Sequence, residues 1–303
     1  SKVPIGVPNT LATVMTFIND IIPQEQAPRI ISFVYAGFSV ASVLGTPIGT
    51  LLSDAFGIKS AFVAVEAVAL LVTVLLLISV PRSGSTDVSS SVREQLVILK
   101  DRRIILVLVM KAFGMAATYV FYVYVTPILE DSVGLSVWMV SLVLFFYGGA
   151  TIVSNLGSGS LAQRYGLGKL PLMFALQAVV LALLGISLAS GNTVLCIINV
   201  VLTGVFIYHM NAPLQSYLLQ VSAKDYPRAL TLASAVMPTS SDIGIATGSF
   251  MGGVVATNLG FAWSGPVGAV LAVVSVVAAF MVLQPESRMG GSLRSRLRRN
   301  RKQ

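Results

Sequence analysis

Charge is scarce in this chain. Aspartate, glutamate, lysine and arginine make up 11% of its 303 residues, against about 25% in an ordinary soluble domain. With 55% hydrophobic residues and a mean hydropathy of +0.85, that shortage excludes a soluble globular protein and points to an integral membrane protein. Cysteine is nearly absent too, and the single Cys196 excludes an intrachain disulfide. There is one histidine, His209, with no H-E-x-x-H, no cluster of cysteine and histidine, no paired acidic loop motif and no nucleotide loop. No metal, cofactor or catalytic residue is expected, and the longest connection, 81–103, is too short for a soluble catalytic domain. An enzyme is therefore not expected. The net charge of +8 lies in short loops and in the tail "RSRLRRNRK", not in one patch, so nucleic acid is not the expected partner.

What is present is a series of long apolar runs. Nine are long enough to cross a bilayer, which takes about 20 residues: 3–22, 28–52, 60–80, 104–129, 137–161, 170–190, 193–221, 229–256 and 262–283. With the C-terminus cytoplasmic, 17 lysines and arginines fall on the inner side, against Lys2 and Lys59 outside. That bias sets the expected orientation. The linker 81–103 has a polar first half. Its second half places Val92, Leu96 and Leu99 at helical spacing, which predicts an amphipathic helix at the inner surface. The expected domains are 1–80, the linker 81–103, a six-span unit 104–283 and a basic cytoplasmic tail 284–303.

An internal repeat links the two halves. "APRIISFVYAGFSVASVLGTPIG" aligns with "YPRALTLASAVMPTSSDIGIATG" at an offset of 199: Arg29 with Arg228, Gly45 with Gly244, and Gly49 with Gly248. Small residues four apart let helix backbones approach in lipid, where hydrophobicity cannot drive association. Gly37, Gly45 and Gly49 are therefore expected on a contact face, with Pro47 adding a bend. Two repeated halves around a linker describe a secondary transporter with its site between them. The first half holds three spans, matching the last three of the second, so three more are expected ahead of Ser1.

On these motifs the chain resembles the major facilitator superfamily, in particular its drug:proton antiporter and arabinose-efflux-permease-like members. Gly37 to Gly49, ending "GTPIG", resembles the antiporter motif of the family's fifth helix. "TYVFYVYVTPILEDSVGLS" resembles the seventh helix and its outer loop. "NLGSGSLAQRYGLGK" resembles the second copy of the G-x-x-x-D-R-x-G-R-R loop motif, with Gly159, Arg164, Gly166 and Lys169 at motif positions and Gln163 where an acidic residue is usual. The resemblance implies an all-α bundle containing helices four to twelve of the family, in a bacterial inner membrane. Its partners would be a small-molecule substrate such as a drug or sugar, protons and the lipid bilayer. A passive or symporting carrier, and a truncated or partner-dependent protein, are the alternatives.

Ionisable groups at membrane depth are the site candidates, because burying them in lipid is costly. Asp242, in "PTSSDIGIATG", is read as a coupling or substrate group, or as a structural partner of a hydroxyl or cation. His209 lies near Asn211 and Gln215 in "VFIYHMNAPLQSY", and serves either proton transfer or packing. Lys111 either snorkels to the inner surface or pairs with a carboxylate. Tyr119 and Tyr122 are candidates for contact with an apolar substrate.

Overall fold

The computed structural model describes residues 25–79 and 95–284. The expected span 3–22, Lys2, the start of the linker and the basic tail lie outside them. The described chain is all-helical, as the apolar runs require: in lipid each backbone N–H and C=O must be paired within its own helix.

Helix α1 is Ala27–Phe56 and α2 is Ile58–Ser79, joined at Gly57, whose φ of 84° turns the chain back at once. A 3₁₀ turn, Leu96–Lys100, leads into α3, Arg102–Tyr122. Asp101 caps α3 by accepting a hydrogen bond from the Arg103 N–H at 2.8 Å. Helices α4 (Val137–Tyr165) and α5 (Leu170–Ser190) follow. Next come α6 (Thr193–Phe206) and α7 (Asn211–Asp225), then α8 (Leu230–Asn258) and α9 (Ser264–Leu283). Among the described residues, five segments meet length and hydropathy requirements for crossing a membrane: α3, α4, α5, α6 with α7, and the segment Phe261–Leu283. Helices α1, α2 and α8 occupy the other runs expected to cross.

Two features of the chain differ from expectation. The described end of the linker is a 3₁₀ turn that buries Ile98 and leaves Leu96 and Val97 exposed. Its tighter three-residue period puts a different side chain inward from the Val92–Leu96–Leu99 face. The run 193–221 is two helices, not one. Pro213 lacks an N–H, and its ring would crowd the carbonyl four residues back, at His209. Helix α6 accordingly stops at Phe206 and α7 restarts at Asn211.

The helices pack along two seams. In one, α8 and α9 lie along α3, with α9 also against α5. A Cβ added at Gly244, Gly248 or Gly252 would collide with the backbone of Ala112, Ala116 or Val120, so α8 rides directly on α3. In the other seam, α1 lies along α4 and against α7. Ile31 and Tyr35 from α1 are buried there with Ala162, Ala212 and Leu219. The contact between Gln163 and Glu25 lies at the end of the bundle that carries Arg29, Arg103 and Arg164, called here the basic end.

Candidate functional site

The centre of the bundle holds a chain of buried polar side chains built on the helix break. Where α6 gives way to α7, the backbone loses its own helical partners. Two serines of α4 replace them: Ser154 Oγ accepts from the Tyr208 N–H at 3.0 Å and Ser158 Oγ from the Ala212 N–H at 3.4 Å. Met210 seats against Gly114 of α3, where any Cβ would strike its sulfur. The break is thereby fixed between α3 and α4, and it aims Asn211 inward.

Lys111 is about 13 Å along α3 from Arg102, at 1.5 Å per residue. It is 2% exposed, so it does not snorkel. No ion pair within 4 Å joins it to a described carboxylate; Arg103 makes the described ion pairs, with Asp101 and Asp225. Both expectations for Lys111 are corrected. Its ammonium donates instead to Asn211 Oδ1 and stands 5.7 Å from the centre of the Tyr35 ring. Asn211 is close enough to do this because the break presents it at the first position of α7.

From there the chain continues into α1. Asn211 Nδ2 donates to Asn155 Oδ1 at 2.7 Å, and Asn155 Nδ2 donates to the Tyr35 carbonyl at 3.1 Å. The Tyr35 hydroxyl faces Gln215 Oε1 at 3.5 Å, one turn along α7. Five residues from α1, α3, α4 and α7 thus form one connected group. Asn211, Gln215 and Lys111 were candidates from sequence. Tyr35 and Asn155 were not, and the signal that marks them is a lone polar group inside an apolar run.

His209 sits in the break itself. It is 5% exposed, its Nδ1 is hydrogen-bonded to the Phe206 carbonyl, and its ring meets Phe174 edge-on at 4.9 Å. Among the described residues its Nε2 has no hydrogen-bond partner, nor have Gln215 Nε2 and Ser216 Oγ. Toward the opposite end lies a group of tyrosines. Tyr119 and Tyr122 are 5.4 Å apart in a T-shaped pair, and Tyr122 stacks on Tyr147 at 5.0 Å. The Tyr208 side chain lies beside that of Tyr119. Asp242 is exposed on α8 and interacts electrostatically with Lys111 and Tyr119. Pro238 leaves α8 continuous through this region.

The remaining candidates are dispersed. Gly159 meets Ser32 and the Pro28 carbonyl of α1 so closely that no Cβ fits. Arg164 is exposed, Gly166 ends α4 with φ 53°, and the Lys169 ammonium lies 5.6 Å from the Tyr165 ring. Gln163 Nε2 reaches the Glu25 carbonyl at 3.3 Å. Arg29 lies over the Phe33 ring, and Arg228 is exposed in the 3₁₀ turn Pro227–Ala229. Gly37 is exposed, with nothing among the described residues where a Cβ would go. Gly45, Pro47 and Gly49 lie within α1, and their side-chain surroundings fall outside the described residues.

Comparison with known proteins places this arrangement in context. The Major Facilitator Superfamily description matches residues 5–226. The chain is 30% identical over 263 residues to an uncharacterized MFS-type transporter, YtbD, of Bacillus subtilis (strain 168), covering 86% of this chain and 66% of that protein. It is 25% identical over 270 residues to the inner membrane transport protein YdhP of Escherichia coli (strain K12), covering 88% and 68%. The chain therefore spans about two thirds of the length of these relatives. Among solved structures, the MFS transporter FucP in its outward conformation aligns with a TM-score of 0.68 at 14% identity, over 91% of this chain and 73% of that one. A bacterial homologue of the iron transporter ferroportin, in its outward-facing state, aligns at 0.67 with 15% identity, over 91% and 69%. A buried polar group where helices meet, on a bundle of this shape and sequence, makes the chain a multi-pass membrane protein of the Major Facilitator Superfamily.

Proposed function

We propose that this chain carries out secondary active transport, exporting a small molecule such as a drug or sugar in exchange for protons. The observation that carries this reading is the position of Asp242. It is a carboxylate in α8, a helix expected to cross the membrane, exposed beside the tyrosines and interacting electrostatically with the buried Lys111. An ionisable group at membrane depth is costly and marks an ion or substrate path. Residues 1–80 supply part of one moving unit, and 104–283 the other, with 81–103 between them on the cytoplasmic side. The 284–303 tail is also cytoplasmic, and the membrane is the bacterial inner one. The α1–α4 contact then closes the cytoplasmic end, and transport requires it to open.

The test is transport in proteoliposomes containing the full-length protein, with ethidium and arabinose as probes under an imposed proton gradient. The expected result is gradient-driven accumulation of a probe that stops on adding a protonophore. Asp242→Asn should abolish the driven movement while leaving exchange at equilibrium. Movement that ignores the gradient would make the protein a passive carrier. Unchanged coupling in Asp242→Asn would remove that residue from the mechanism.

A further inference from the structure

The buried polar group has an excess of hydrogen-bond donors that the protein does not use. The Lys111 ammonium carries three N–H bonds, and among the described residues one of them is taken, by Asn211 Oδ1. Gln215 is 0% exposed, and among the described residues its Nε2 amide has no acceptor. These groups converge. Lys111 and Gln215 both contact the Tyr35 side chain, one at its ring face and one at its hydroxyl. Asn211 and Gln215 stand four residues apart, on one face of α7.

Among the described residues no carboxylate touches the ammonium in this place. Helix α7 begins at Asn211, so the partial positive charge of its N-terminus lies beside the ammonium. Asp242 is the acidic residue that acts on Lys111, yet no ion pair within 4 Å joins them. A buried ammonium facing a helix N-terminus, with an unsatisfied amide donor beside it, is an expensive arrangement unless an anion completes it. In this state the Tyr35 ring occupies the remaining side of the ammonium. A cation–π contact is worth only about 0.5–2 kcal/mol, so a carboxylate is the stronger partner.

We infer that Lys111 and Gln215 form a binding point for the carboxylate, or an equivalent small anionic group, of the transported molecule. The substrate class is then a small organic acid or zwitterion. Its anionic group takes the place of the Tyr35 ring, and its body lies toward Tyr119, Tyr122 and Tyr208, which are partly exposed on that approach. This deepens the transport reading and rests on it. It narrows the drug or sugar of that reading to one that carries an anionic group.

The experiment reads binding rather than transport, so its outcome is separate from that of the coupling test on Asp242. Benzoate, with a ring suited to the tyrosines, is compared with benzamide, its neutral isostere, in thermal unfolding of the full-length protein in detergent at constant ionic strength. Near tenfold saturation, benzoate is expected to raise the melting temperature by about 3 °C, and benzamide to leave it unchanged. Lys111→Met should lose the benzoate shift, and Lys111→Arg should keep part of it. Gln215→Met, which removes a donor and no charge, should reduce the shift and covers the case in which Lys111→Met does not fold. Equal shifts with benzamide, a full shift surviving in Gln215→Met and Lys111→Met, or no benzoate shift in the unaltered protein would each overturn the proposal.

Discussion

The two seams of this bundle are built on opposite principles. Along α3, helix α8 presents Gly244, Gly248 and Gly252, and α9 presents Gly268, each against the backbone of α3. The hydrogen bonds that cross this seam run straight from side chain to backbone: Ser240 to the Leu108 carbonyl at 2.7 Å and Ser275 to the Met110 carbonyl at 3.2 Å. Between α1 and α4–α7, a chain of amides, a tyrosine and a lysine links the helices instead, with a small apolar patch beside it. Close backbone packing is lost wholesale if two helices part, because dispersion falls off within an ångström. Polar side chains can exchange one partner for another, whether water, ligand or a different residue. The first seam suits a permanent unit and the second suits a contact that opens and closes.

The largest expected effect comes from breaking the permanent seam. Gly248→Leu puts a branched side chain into the Ala116 backbone, where neither helix can yield. Overpacking costs about 1–3 kcal/mol, or more when backbones must shift. The expected outcome is little or no monodisperse protein by size exclusion of a fluorescent fusion. Gly37→Leu, where open space awaits the new side chain, should be recovered at the unaltered level.

The next effect is on the exchangeable seam. Asn155→Ala removes the link between Asn211 and the Tyr35 carbonyl and leaves buried groups unpaired, at a cost of about 1–3 kcal/mol each. Because that cost is borne only while α1 is docked, the protein should fold and the contact should open. Disulfide trapping between Gln26→Cys and Gln163→Cys, both in exposed positions at the basic end, should slow by roughly tenfold for each 1.4 kcal/mol. Trapping at the unaltered rate would show that the amide chain does not hold the seam.

The smallest effect lies at the surface. Asp101 caps α3, accepts from the Tyr226 hydroxyl at 3.1 Å, and joins Arg103 at 2.7 Å. The Arg103 guanidinium holds the Asp101 carboxyl below the usual carboxylate range, despite partial burial that pushes it up. A carboxylate with its acidity strengthened on folding stabilises the protein above its ordinary pKa and loses that contribution as pH falls through the folded value. Asp101→Ala should lower stability at neutral pH by about 1 kcal/mol. The gap between variant and unaltered protein should close below about pH 4. A gap that widens with acid would contradict this account of the cap.

Much of this was legible from sequence, and the reasons differ by region. The all-helical bundle follows from run lengths alone. Gly244 and Gly248 were readable as a contact face because a spacing of four is a local signal, and they lie on one. Gly37 was not, because spacing cannot say whether another helix is opposite. The α6–α7 break was written in "HMNAP", where Pro213 denies His209 a helical successor, but an uninterrupted apolar run hides it. Lys111 illustrates the harder case. Its burial and its partner depend on Asn211, 100 residues away, and on Asn155 and Tyr35, whose own motifs give no sign that they meet. Side chains that meet only in the assembled bundle leave no periodic trace in the chain.

The most direct test of the central claim compares the two seams in one protein by electron–electron distance measurement. On a background with Cys196 replaced, spin labels go at Gln26 and Gln163 across α1–α4, and separately at Ile105 and Thr239 across α3–α8. The account predicts two distances for the first pair, with the longer one favoured by Asn155→Ala, and a single unchanged distance for the second. One fixed distance across α1–α4 in both proteins, or a split distribution across α3–α8, would contradict it.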